Sequence, residues 1–316
     1  MRALITGAGG FAGRHLMARL LADGHEVIAA DRQLRDDLPA EAERAELDVT
    51  DAEACWDVLH ATRPDALFHL AAQAHVAAAE ADPEGTLAVN VDGTRHVLEA
   101  CLNGHANVRV LVVSRAEVYG PVDAADLPVR ESQPLRPSTL YAVSKAQAEA
   151  HVHHAVARGL HAMVARSFNH IGPGQADTFV AGAFAHQVAR IEAGEQEPVI
   201  RVGNLEAVRD LCDVRDVARA YAACMIHGQP GEVFNVTSGR GVRIAALLEG
   251  LVALATVDVR IEVDPERMRP LDVPVFHGCP TFLEARTGFR PSIPLEDSLR
   301  DILDGWRQAV AAAGAR

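Results

Sequence analysis

The 316-residue chain is 49% apolar, which allows one large two-lobed domain or two modest ones around a sizeable core. Its net charge of −13 comes without any block of Lys and Arg, which argues against nucleic acid or an anionic membrane as partner; an anionic substrate must be held by a few local arginines. Cys55, Cys101, Cys212, Cys224 and Cys279 are widely spaced and form no C-x-x-C pair, so neither a disulfide framework nor a zinc site is indicated. "MRALITGAGG" reaches glycine too soon for a signal peptide, and no apolar run is long enough to span a bilayer, so a cytoplasmic location is expected.

In chain order, "RALIT", "EVIAAD", "DALFHLAA", "VRVLVVS" and "HAMVARSF" read as buried strands separated by helical patterns. Leu16, Met17, Leu20 and Leu21 recur on one helix face after the first strand. The alternation predicts an α/β fold, a Rossmann-type doubly wound parallel sheet with a smaller C-terminal α/β substrate-binding lobe. We expect residues 1–166 to form the sheet domain, rejoined over about 207–228, and 167–316 to form mainly the lobe. An amphipathic helix with Leu299, Ile302, Leu303 and Trp306 closes the chain.

"ITGAGGFAGRHL" sets Gly7, Gly10 and Gly13 between a strand and a helix, where backbone can approach a pyrophosphate and helix amides can bind it. Asp31 ends the second strand about 20 residues on, placed to accept from ribose hydroxyls, which favours NAD(H). The adjacent Arg32 leaves room for the 2′-phosphate of NADP(H). In "STLYAVSKAQAEA" Tyr141 and Lys145 are four apart on one helix face, and a neighbouring ammonium is expected to lower the phenol toward neutral pH. His151 and His154 also share a face, but with no third ligand in view they read as structural or surface residues.

At these residues the chain resembles the extended short-chain dehydrogenase/reductase family, which acts on nucleotide sugars. "TGAGGFAG", "LDVTD", "HLAAQAHV", "AVNVDGT", "EVYG", "YAVSK", "FNHIGPGQ" and "DVRDVARA" occur in the family's order. The resemblance implies that Asp48 and Val49 line the adenine, Ala71 and Ala72 the cofactor's middle, and Lys145 the nicotinamide ribose, with Phe11, Gln73 and Asn90 also on the cofactor. It further implies a homodimer pairing the helix after "NVDGT" with the Tyr141 helix.

The second half looks most like GDP-4-keto-6-deoxymannose reductases and their dehydratase relatives. By that resemblance Asn169 and Gln187 contact the sugar diphosphate region, Asn204 and Leu205 lie near the base, and Arg209 and Arg269 neutralise the phosphates. Dehydratases of this group read close to "GQDGSYL" where this chain has "GAGGFAGRHL", which favours reductase. The expected reaction is hydride transfer from NAD(P)H to a GDP-6-deoxy-hexos-4-ulose, giving GDP-rhamnose or its C4 epimer. A 4-epimerase or 4,6-dehydratase, which returns its hydride, is the alternative.

One position departs from the family pattern. Arg115 stands where the family has Ser or Thr, a hydroxyl that bonds both ketone and tyrosine, while Glu117 could serve elimination or hold a sugar hydroxyl. Either Arg115 points into the site and stabilises the developing alkoxide, or it turns to solvent or Glu117 and leaves a slow enzyme, at the extreme a weakly catalytic binding protein. The slow enzyme is the favoured expectation, in which Arg115→Ser raises kcat.

Overall fold

In a computed structural model that describes residues 1–34, 37–105, 107–268 and 273–314, strand and helix alternate through the first half. In order come β1 (Arg2–Thr6), α1 (Phe11–Ala22), β2 (Glu26–Asp31), β3 (Glu43–Glu46), α2 (Ala52–Thr62), β4 (Ala66–His69), α3 (Val76–Ala81), α4 (Pro83–Leu87), α5 (Gly93–Gly104), β5 (Arg109–Arg115), α6 (Leu140–Ala157) and β6 (His161–Ser167). They are followed by β7 (Asn169–Ile171), α7 (Val180–Glu192), β8 (Val199–Val202), β9 (Val208–Asp213), α8 (Val214–His227), β10 (Val233–Val236), β11 (Gly241–Arg243), α9 (Ile244–Ala253), β12 (Arg260–Val263), β13 (Val275–Phe276), α10 (Thr281–Thr287) and α11 (Leu295–Gly314).

Seven strands pair in parallel in the order β10-β6-β5-β4-β1-β2-β3. The chain winds outward from β1 in both directions, so the crevice between the C-terminal ends of β1 and β4 is the topological switch point where such sheets take ligands. Because side chains alternate across a strand, Ala3 and Ile5 face Leu16 and Leu20 of α1 and Val217 and Tyr221 of α8. Leu4 faces the other way, toward Leu59 of α2, Val97 of α5 and Val152 of α6. All five strands read from apolar runs belong to this sheet. The charged β3, "ERAE", also joins it as an edge strand by pairing with β2, a role its composition does not advertise.

The second half builds two small sheets, β11-β9-β13 with β7 also on β9, and β12-β8. Phe184 and Val188 of α7, Leu247 and Leu251 of α9, and Leu299, Ile302 and Leu303 of α11 share a separate core. Within 207–228, β9 belongs to the small sheet, whereas Val217 and Tyr221 of α8 pack into the core of the large one. The strand that rejoins the large sheet is β10, beside β6.

Candidate active site

The glycine turn lies at the switch point. Gly7 has φ +70°, and a Cβ there would lie 2.7 Å from the Ala71 backbone nitrogen at the end of β4. A Cβ on Gly13 would collide with the Gly7 carbonyl, so that glycine is needed to seat α1 on the turn. Gly10 is different: it is exposed, and its Cβ would meet only the Gly7 oxygen, at 3.1 Å. The fold itself hardly requires glycine there, whereas an approaching phosphate would. No side chain caps α1 and its first turn holds no acid, leaving helix amides to meet an anion. These residues fit a dinucleotide.

Asp31 is held against this turn, its carboxylate accepting from the Gly9 amide at 3.0 Å and the Arg32 amide at 2.8 Å. Arg32 is exposed beside it. Arg14 donates from Nε to the Gly9 carbonyl of the turn at 3.1 Å and pairs through Nη2 with Asp37. Asp48 accepts from both the amide and hydroxyl of Thr50, which hold its carboxyl below the usual range, while Val49 is buried with its carbonyl on His96. Phe11, the first residue of α1, stacks on His170 at 5.8 Å and so links the turn to the segment after β6.

A chain of hydrogen bonds crosses behind the crevice. Thr6 meets His69 Nδ1 at 2.8 Å, and His69 Nε2 meets Thr94 Oγ1, which donates to the Asn90 carbonyl. Asn90 donates to Ser144 at 2.9 Å and accepts from the Gln73 amide at 2.8 Å, and Ser144 donates to the Tyr141 carbonyl. Burial, with Lys145 nearby, pulls His69 down to about 3, so it stays neutral and can serve one Thr as acceptor and the other as donor. The backbone around Ala71, Ala72 and Gln73 is thereby tied to the helix that carries Tyr141.

Thr139 caps α6 by accepting from the Ala142 amide, and Tyr141 and Lys145 follow on its buried face, 2% and 4% exposed. Lys145 donates from Nζ to the Val113 carbonyl at 2.9 Å. It is the only lysine in the sequence, every other basic residue of the Lys and Arg set being arginine. That solitary compact, titratable ammonium is a sequence signal that the motif alone does not convey. Burial, then the charge of Arg115, lower it to about 8.

The expected lowering of Tyr141 by Lys145 is not what the structure gives. Burial pushes the phenol up, and the cation that partly offsets this is Arg115. Desolvation disfavours the phenolate more than the neighbouring charge favours it, so Tyr141 stays protonated at neutral pH.

Arg115 ends β5. Its Nε and Nη2 donate to the two Glu117 oxygens at 3.1 and 2.9 Å, and Nη2 also reaches Asn169 Oδ1 at 3.3 Å. The turn toward Glu117 is therefore present, but it does not remove the charge from Tyr141, Lys145 or His170, all of which feel it. The cleft raises the Glu117 carboxyl and Arg115 overrides this, holding it below the carboxylate range. Glu117 is thus an acceptor here and not a proton donor. Burial and then Arg115 bring His170 down to about 4. Ser114, next door, is turned to Glu149 of α6 at 2.5 Å, as strand alternation requires.

Beneath the site Glu149 and Arg166 form an ion pair, their side chains 2% and 6% exposed. Arg166 also donates to the Tyr119 hydroxyl at 3.0 Å, and that hydroxyl donates to Asn235. The signal for this pair in the sequence is Arg166, a charge within the apolar run of β6.

The residues assigned to the substrate are more dispersed. Asn169 belongs to the Arg115 cluster. Gln187 is engaged with β8, exchanging hydrogen bonds with the Arg201 backbone, at the edge of a cleft of about 480 Å³ that also includes His186, Arg190 and Arg267. Asn204 makes a local turn with the Glu206 amide, and Leu205 packs on the lobe's core. Arg209 donates to the Val208 and Val273 carbonyls. Arg269 lies outside the described residues.

Comparison with known proteins agrees with this geometry. The GDP-6-deoxy-D-mannose reductase of Pseudomonas aeruginosa is 38% identical over 310 residues, covering 98% of each chain. The GDP-mannose 4,6-dehydratase of Yersinia enterocolitica is 27% identical, over 96% of this chain and 93% of that one. The solved structure of RMD from Pseudomonas aeruginosa complexed with NADPH matches with a TM-score of 0.87 at 36% identity, covering 98% of this chain and 99% of that one. A family model described as NAD dependent epimerase/dehydratase family matches residues 3–237. With the glycine turn, Asp31 and the Tyr141–Lys145 pair gathered at one edge of a doubly wound sheet, this chain belongs to the NAD dependent epimerase/dehydratase family.

Proposed function

We propose that the chain is an NAD(P)H-dependent reductase of the C4 ketone of a GDP-4-keto-6-deoxy-hexose, giving GDP-D-rhamnose or its C4 epimer. The observation that carries this reading is the 38% identity to a GDP-6-deoxy-D-mannose reductase along the whole chain, lobe included, against 27% to a dehydratase. Bound at the glycine turn and Asp31, a reduced nicotinamide supplies the hydride. Tyr141 gives its proton to the ketone oxygen, and Lys145, fixed on Val113, holds positive charge beside it. Glu117, kept ionised, accepts from a sugar hydroxyl. Residues 1–166 carry the cofactor and 167–316 mainly the nucleotide sugar, with Asn169, Gln187, Asn204, Leu205, Arg209 and Arg269 on the substrate side. The protein acts as a cytoplasmic homodimer through α5 and α6.

Incubation with the product of a GDP-mannose dehydratase and NADH, followed by nuclear magnetic resonance of the sugar, is expected to show a reduced C4 and stoichiometric NADH oxidation. Conversion without net NADH consumption would establish an epimerase or dehydratase instead. GDP is expected to raise thermal stability more than UDP or dTDP at equal concentration, since a ligand that binds only the native state stabilises it. A larger shift with dTDP overturns the guanine assignment.

NADH is expected to bind more tightly than NADPH, because Asp31 sits where it would repel a 2′-phosphate. Titration of the fluorescence of the two tryptophans with both cofactors checks this. Equal or reversed affinity would assign the ribose site to Arg32.

A further inference from the structure

We propose that Arg115 is a catalytic residue of this chain, donating from Nη1 to the substrate ketone oxygen and stabilising the charge gathered there during reduction. This rests on the reductase reading above. In that reaction the sugar carbon gains a hydride with its electron pair from the reduced nicotinamide, which is oxidised. The carbonyl π pair moves to oxygen, which takes the Tyr141 proton, and the phenolate is reprotonated from water. Negative charge therefore builds on one oxygen beside Tyr141, and a fixed donor aimed at it lowers the barrier.

Arg115 meets the requirements for that donor. It lies at the ligand edge of the sheet, at the C-terminal end of β5, level with Ser167 of β6. Nε and Nη2 are engaged by Glu117 and Asn169, which fixes the plane of the guanidinium. Among the described residues Nη1 donates to nothing. A clamped fork has already lost the rotamer freedom that a mobile arginine would lose on binding. The neighbouring hydroxyl is unable to compete, because Ser114 is committed to Glu149 on the other face of the strand. The charge of the guanidinium, paired with Glu117, is also felt by Tyr141 and Lys145 of α6, Tyr221 of α8 and His170 of β7.

The test compares wild type, Arg115→Ser and Arg115→Lys in NADH-dependent reduction of the GDP-linked ketone. Arg115→Ser is expected to lower kcat by about 10²-fold or more, with GDP and NADH affinities and circular dichroism unchanged, and Arg115→Lys to recover part of it. A kcat for the serine variant equal to or above wild type, the outcome expected from the sequence alone, overturns the proposal. Should the serine variant not fold, an unchanged kcat in the lysine variant does the same, since lysine keeps the charge but not the fork. A second readout needs neither cofactor nor substrate. Lysine labelled with ¹³C at Cε gives one signal in this single-lysine chain, and its midpoint near 8 is expected to rise in Arg115→Ser, where a like charge no longer opposes the ammonium. If wild type fails to reduce the ketone, the reductase reading falls. The titration still decides on the arginine: an unmoved midpoint overturns its placement at the catalytic pair, and a raised one supports it.

Discussion

Replacing Tyr141 by phenylalanine is expected to lower kcat for ketone reduction by about 10²–10⁴-fold, the contribution of a positioned acid. The substitution removes one oxygen from a 2% exposed side chain and keeps the ring that packs the N-terminal turn of α6, so NADH affinity and fold should persist. The pH profile supplies a second check. Reduction needs Lys145 charged, and burial with the charge of Arg115 lowers it to about 8, so wild-type activity should fall on the alkaline side as the ammonium loses its proton, well before the phenol, which burial pushes up. The residual activity of Tyr141→Phe should keep that limb, which belongs to the lysine. A variant retaining more than a tenth of wild-type kcat would mean that another group delivers the proton. Tyr221, which bonds Ser167 at 2.6 Å and acts electrostatically on Tyr141, would be the next residue to replace.

Glu149→Ala is expected to destabilise the protein by about 3–5 kcal/mol, because it strands the Arg166 guanidinium in the core. It also removes the acceptor of the Ser114 hydroxyl. Paired replacement, Glu149→Leu with Arg166→Met, takes both charges out together and should recover most of that loss, since a buried ion pair contributes little net stability over apolar packing. Denaturant unfolding of wild type and the two variants makes the comparison. A single variant within about 1 kcal/mol of wild type would show that water reaches the arginine, against its 6% exposure. The pair joins α6 to β6 and, through Ser114, to β5, the elements that carry Tyr141 and Arg115.

Both substitutions concern residues whose legibility in the sequence differs. Tyr141 and Lys145 stand out because a four-residue spacing fixes a shared helix face irrespective of the rest of the fold. Gly7 and Gly13 stand out because their restrictions are local: a left-handed turn and a close helix contact leave room for no side chain. The strands of the large sheet were readable where burial on both faces demands continuous apolar runs, as in "RALIT" and "VRVLVVS". Arg166 was there to be read as a charge in an apolar run, but its partnership with Glu149 joins a helix to a strand 17 residues away and needs the packed structure to appear.

By itself the sequence determined the doubly wound fold, the glycine turn and the shared helix face of Tyr141 and Lys145, since each depends on spacing within a few residues or on strand-length burial. Only the tertiary structure decided the rest. It made "ERAE" a strand by offering it the open edge of β2, and it returned the chain to the sheet at β10 because β9 found its partners in the lobe. It turned Gln187 to the backbone of β8. It reversed the direction in which Tyr141 titrates, because desolvation depends on everything packed around the phenol and not only on the lysine one turn along. It also settled where Arg115 goes: Glu117 two residues on and Asn169 on β7 hold the guanidinium at the catalytic edge, an arrangement set by which strand ends meet across the sheet.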